Sequence, residues 1–198
     1  MDFKVVERNG KYFYEGSDGK LYGEGYDEAN DFSEGYASVN KDGEWYFVDK
    51  DFKHHGGGYS YYVGSFSEGY ALVKKDGKWY YVGKDFKLHG EGYDEVWDFR
   101  EGYARVEKDG KWYYVDKGFK LHGEGYDSAQ DFIEGYALVE KDGKYYFVDK
   151  DFKLHGKGYD RAWNFYEGYA LVEKDGIEYR INKDFQIDEN EALRGAEQ

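Results

Sequence analysis

Histidines recur at one place in this sequence, as His55, His89, His122 and His155, with His54 beside the first. A row of imidazoles could ligate a metal or titrate near neutral pH. Ligands must converge to within ~2 Å of a single ion, and here each copy stands about one repeat away from the next. Packing or hydrogen bonding is the role the spacing favours, and no metal is expected. Carboxylates recur in the same way, in Tyr26-Asp27, Tyr93-Asp94, Tyr126-Asp127 and Tyr159-Asp160. Two acids at a defined separation could hydrolyse a glycoside. An acid copied into every repeat is instead expected to cap a turn. Each Lys-Asp-Gly segment brings one carboxylate, too few for a calcium loop. The chain has no cysteine, no G-x-S-x-G and no glycine loop ahead of a Lys-Ser/Thr pair. The expectation is a protein without catalytic residues or cofactors, not an enzyme.

These residues are positioned by a repeat. The triplet Glu-Gly-Tyr begins at Glu34, Glu68, Glu101, Glu134 and Glu167, at spacings of 34, 33, 33 and 33. A fixed period of this size marks a repeat architecture, in which each unit buries its faces on its neighbours. Six units, a first of 32 residues and five of 33–34, fill one repeat domain, 1–198, at 1–32, 33–66, 67–99, 100–132, 133–165 and 166–198. Within a unit, EGYALV alternates as a strand does. Asp-Gly follows, at Asp42, Asp76, Asp109, Asp142 and Asp175, with Asn9-Gly10 in the first unit, and it signals a hairpin. KWYYVD suits the second strand. KLHGEGYD reads as a third extended piece whose Gly-x-Gly makes a bulge or bend. A polar stretch ending in Phe joins the next unit as a short turn or helical turn.

One face of the second strand carries Trp45/Phe47, Trp79/Tyr81, Trp112/Tyr114 and Tyr145/Phe147. In the last unit these positions become Glu178 and Arg180, while Tyr179 and Ile181 keep the opposite face apolar. The first unit departs the other way, with Glu15 where the others have Val48, Val82, Val115 and Val148, and Gly19 where they have Phe52, Phe86, Phe119, Phe152 and Phe185. One face of each unit is therefore expected to meet its successor and the other its predecessor, with polar caps at both ends. The fold expected is all-β: an open, solenoid-like tandem array of three-stranded meanders. A six-bladed propeller is the alternative, disfavoured by the polar ends. The tail DENEALRGAEQ, with Leu193, reads as a short charged helix or a frayed end.

Aromatic residues make up 22% of the chain, so its core must be built from rings, and 28 glycines against no proline assign the tight turns to glycine. A net charge of -14 argues against binding nucleic acid or an anionic membrane, and it suits a basic partner. No signal-peptide pattern is present, which makes the cytoplasm the expected location, with export the alternative if a leader has been trimmed from this sequence.

Residues 68–87, EGYALVKKDGKWYYVGKDFK, resemble the bacterial WG-repeat (KWG) family. The family pattern E-G-[LY]-A-x-V is met by Glu101, Gly102, Tyr103, Ala104 and Val106. Its K-[DN]-G-K-W segment is met by Lys108 to Trp112, with Val115 and Asp116 after it, and its Tyr-Asp and closing Phe by Tyr93, Asp94 and Phe99. The glycine that follows Trp in that family is replaced by Tyr46, Tyr80 and Tyr113, and the family's usual proline is absent. The resemblance implies an all-β repeat that serves as a non-enzymatic interaction module. GKWYYVD is also similar to choline- and cell-wall-binding repeats, which grip ligands with Trp and Tyr.

Candidate binding residues are those that vary on this constant frame. Trp97 and Trp163 stand where other units have Asn30 or Gln130, and the outward first-strand positions are Ser38, Leu72, Arg105, Leu138 and Leu171. Inter-repeat packing is the competing role for all of them. A protein or peptide scaffold is the function expected. Glycan or cell-envelope binding through exposed Tyr and Trp is the alternative, with an acidic decoy of a nucleic-acid-binding site behind it. The oligomeric state is left open.

Overall fold

The computed structural model describes residues 2–59 and 63–187, and the tail predicted as a helix lies outside them. Among the described residues the protein is all-β: 21 strands form six small antiparallel sheets, none closed on itself. Two compact bodies, 1–98 and 99–198, each take three of the six repeats. No helix among the described residues is long and apolar enough to cross a membrane.

The second repeat shows the local logic. Its first strand, Tyr36–Lys41, pairs with Glu44–Asp49, which pairs with His54–Tyr59. Asp42 and Gly43 both have positive φ, 56° and 84°, which matches the right-handed twist of the strands they join. The Glu-Gly that opens each repeat is also a tight turn, not the start of the strand. Glu34 (φ 50°) and Gly35 (φ 97°) are closed by reciprocal Ser33–Tyr36 backbone bonds of 2.8 and 3.0 Å.

The Gly-x-Gly of the third strand is a bulge, with a register shift between His89 and Tyr93. Both glycines make room for rings. A Cβ on Gly123 would lie 2.8 Å from the Tyr126 ring, and one on Gly125 would lie 2.8 Å from the Tyr113 hydroxyl. Gly123 also has φ 97°, a conformation that L side chains rarely adopt.

The linking stretch is extended, not a helical turn. Glu28–Ala29, Ser128–Ala129 and Arg161–Ala162 are two-residue strands that pair with the first strand of the following repeat, as in Ala129↔Val139 and Ala162↔Val172. The main-chain bonds explain this choice. Asp127 and Gln130 donate their backbone N–H groups to Glu140 and Leu138, which ties both ends of the two-residue strand to the next repeat.

Within each body the junctions bury the two expected faces. Trp45, Phe47 and Tyr59 of the second repeat pack with Ala71, Val73 and Val82 of the third. Tyr114, Tyr126 and Phe132 meet Ala137, Val139 and Val148 in the same way. Phe52, Phe86, Phe152 and Phe185 are held at φ 58–61°, where a bulky residue is strained by about 1–3 kcal/mol. Partial burial of each ring against the neighbouring repeat offsets part of this cost. The histidines join this packing. The His55 ring stacks on Phe86 at 4.6 Å, His122 on Phe152 at 4.7 Å and His155 on Phe185 at 4.9 Å. In the first repeat Tyr22 takes the histidine's place and stacks on Phe52.

Candidate interaction edge

The recurring acids are largely occupied in holding the repeats together. Glu34 accepts the Gly69 N–H of the next repeat at 3.0 Å and pairs with Lys84 at 3.1 Å. Glu101 does the same with Gly135 and Lys150, and Glu134 with Gly168 and Lys183. At the hairpin end, Asp27 takes the Lys11 ammonium at 2.5 Å and the next repeat's Asp42 N–H at 2.7 Å. Asp127 repeats this with Lys111 and the Asp142 N–H. Lys11 and Lys111, first among the causes, hold these carboxyls below the usual range, and the backbone N–H bonds add to it. Asp49 accepts from the Asp51 and Lys53 N–H groups of its turn, and its second oxygen lies 2.7 Å from His55 Nε2. The His55 contact, above all, lowers the Asp49 pKa, and His122 acts likewise on Asp116.

With the recurring acids committed, the variable positions remain. The tight Glu-Gly turns of successive repeats lie side by side, tied by bonds such as Glu134 to the Gly168 N–H. The residue before each turn changes: Ser33, Ser67, Arg100, Ile133, Tyr166. So does the residue just past each linking strand: Asn30, Gly64, Trp97, Gln130, Trp163. The Asn164 side chain donates to Gln130 Oε1 at 2.7 Å, which places this second row along the same edge of residues 99–198. Ile133 is 38% exposed, Trp163 45%, Leu171 41% and Tyr166 75%. Beside them Asp131 pairs with Arg100 at 3.1 Å and Arg105 at 2.9 Å.

The candidate residues read from the sequence divide. Trp97 and Trp163 are exposed, and their main chains are fixed: the Trp97 carbonyl accepts the Tyr81 hydroxyl at 2.8 Å, and the Trp163 N–H donates to Leu171 at 3.0 Å. The first-strand positions are not outward. They share a face with Trp45 and Phe47, and that face turns toward the next repeat. Ser38 and Leu138 are buried for this reason. Leu72 is half-buried. Arg105 is held by the Ala129 carbonyl at 2.7 Å and by Asp131. Leu171 is open because it belongs to the last repeat's outer face. Ile133, Tyr166 and Arg100 join this edge, and their signal in the sequence is the variation just ahead of Glu-Gly-Tyr.

A meander that recurs six times, lends a short strand to its successor and stacks face on face defines a β-repeat scaffold. The chain belongs to the WG-containing repeat family, whose pattern matches residues 25–45, 59–79, 92–112, 125–145 and 157–176, more than half of its length. No curated protein sequence matches it. Among solved structures it is similar to Kluyveromyces lactis Hsv2 with complete loop 6CD (8% identity, TM-score 0.42, 77% of this chain and 58% of that one). It is also similar to Kluyveromyces marxianus Hsv2 (9%, 0.45, 90% and 71%) and to the Neurospora crassa Pan2 WD40 domain (9%, 0.38, 92% and 75%). The chain spans under two thirds of the first of these, and likeness at this level carries neither shape nor function across.

Proposed function

We propose that this WG-repeat chain is a non-catalytic scaffold that binds a protein or peptide through the turn edge of residues 99–198. One observation carries the reading: Ile133, Trp163, Tyr166 and Leu171 are exposed at or beside positions free to vary, while the bonds that hold the repeats use other groups. Trp and Tyr are the side chains that most often dominate binding energy, and Arg100, two repeats away at the equivalent position to Tyr166, adds a charged group. The net charge of -14 favours a basic or mixed partner at low ionic strength.

Selection of a displayed peptide library against the full chain at low salt tests this. Peptides should enrich, and the double variant Trp163→Ala/Tyr166→Ala should bind them at least about tenfold more weakly. Failure to enrich any sequence, or equal binding by the double variant, sinks the proposal.

The exposed Trp163 and Tyr166 also support a glycan-binding reading, because sugars stack on paired aromatics. Tryptophan fluorescence that stays flat across a sugar and choline titration removes it.

A further inference from the structure

The junction between the fifth and sixth repeats differs from the others in charge. Within the third-strand Gly-x-Gly, the central residue is Glu24 in the first repeat and Glu124 in the fourth, and each carboxylate holds a lysine of the next repeat, Lys41 or Lys141. In the fifth repeat the central residue is Lys157, while the next repeat keeps its lysine, Lys174. Lys174 Nζ lies 3.4 Å from the Lys157 carbonyl, and Lys157 pairs with no carboxylate among the described residues.

Both lysines line a cavity of about 290 Å³ walled by Tyr159, Tyr179, Ile181, Phe185 and Ile187. Ile187 is 52% exposed at its mouth. Asp175 lines it as well, leaving one net positive charge among these three side chains. The nearby Asp160 is already bound to Lys144 and to the Asp175 N–H.

We infer that this cavity is a second binding site, independent of the turn edge, for an acidic peptide segment of a partner protein. A large apolar side chain enters among the rings, and a neighbouring carboxylate takes the place between Lys157 and Lys174 that a glutamate fills at other junctions. The volume sets the choice of occupant. It lies at or below the lower end for drug-sized ligands and accepts one large side chain, so useful affinity has to come from chain on either side of it. Long-range repulsion from a chain of net charge -14 disfavours acidic macromolecules in general and leaves recognition to this local reversal of sign.

The test is an amide-resolved NMR titration of the full chain with the blocked peptide acetyl-Glu-Phe-Glu-amide. Saturable shifts are expected at Lys157, Lys174 and Ile187, with about tenfold weaker binding of acetyl-Gln-Phe-Gln-amide. The informative variant is Lys157→Glu, which installs the residue found in the first and fourth repeats. It should melt no lower than the parent and bind the acidic peptide about tenfold more weakly. Equal binding by Lys157→Glu, or by the glutamine peptide, overturns the proposal. So does the absence of saturable shifts, which is also how an occupant supplied by residues 188–198 of the chain itself would register. None of these readouts involves Trp163 or Tyr166, so this site and the turn edge stand or fall separately.

Discussion

Residues 1–98 and 99–198 are built on one frame and present different edges. In the first body the residues ahead of the Glu-Gly turns are Ser33 and Ser67, and those past the linking strands are Asn30 and Gly64 before Trp97. In the second they are Arg100, Ile133 and Tyr166, with Gln130 and Trp163. The bonds beneath recur: Glu34 to the Gly69 N–H and Glu134 to the Gly168 N–H are both 3.0 Å. The small residues of the first body also serve the frame. Ser33 Oγ donates to the Phe66 carbonyl at 2.6 Å and Asn30 donates to Ser38 Oγ at 2.9 Å. A frame held by main chain and acids releases its edge to change, and only the second body has made most of that edge apolar.

The largest expected effect is common to both bodies, and a difference between them would break the comparison. Asp27 and Asp49 in the first body, and Asp116, Asp127 and Asp160 in the second, have pKa values lowered by their lysine or histidine partners and by backbone N–H groups. At Asp149 burial acts in the opposite direction, but the His155 and turn N–H bonds outweigh it. A depressed folded-state pKa contributes stability that is fully present above the unfolded value, near 3.8, and is lost as pH falls through the folded value. Circular dichroism melts should therefore hold steady from neutrality to about pH 5 on this account and fall steeply below about pH 4. If residues 1–98 and 99–198 melt separately, both transitions should move together.

Gly123→Ala is among the strongest single substitutions expected. Positive φ and the 2.8 Å approach to the Tyr126 ring should together cost about 3 kcal/mol. Gly23→Ala, whose Cβ would lie 2.7 Å from the Tyr26 ring, should cost about as much in the first body. Gly135→Ala supplies the contrast. It has φ 89° but nothing within 4 Å, so strain alone applies, about 1 kcal/mol. Denaturant unfolding measures all three.

That contrast also marks what the sequence makes legible. The hairpins could be read because Asp-Gly at positive φ has few alternatives, and the stacked faces because Glu178 and Arg180 broke an otherwise regular apolar pattern. The linking strand was missed because two residues are too short to show a period. What holds Ser128–Ala129 extended is the next repeat's Val139 and Glu140, a partner about ten residues away. The first-strand positions were placed outward because alternation separates two faces without saying whether either is solvated. In a stacked array both are buried, as Leu138 is. The charge reversal at Lys157 was present in the sequence, and its meaning depended on seeing Lys174 beside it.

The inter-repeat acids come next in size. Glu134→Ala removes the acceptor for the Gly168 N–H and the partner of Lys183, and should lower the unfolding midpoint. Glu134→Gly removes the same bonds but relieves the strain of φ 53°, so it should be milder than the alanine. Glu34→Ala and Glu34→Gly should repeat the pattern in the first body. A glycine variant no milder than the alanine would mean that the turn stores no strain.

The smallest effects on stability separate the two edges most sharply. Ser33→Ala leaves the Phe66 carbonyl without the hydroxyl that bonds it and should cost about 1 kcal/mol. Tyr166→Ser, at the equivalent position of the second body, removes a ring that is 75% exposed and should change stability by less than about 0.5 kcal/mol. Thermal melts of the two variants therefore predict opposite rankings for stability and for capture of selected peptides. The serine variant of the second body should melt like the parent and bind poorly, and the alanine variant of the first should melt earlier and bind normally. If Tyr166→Ser destabilised as much as Ser33→Ala, the tyrosine would belong to the frame, and the exposed edge of residues 99–198 would lose its claim to be a surface free for recognition.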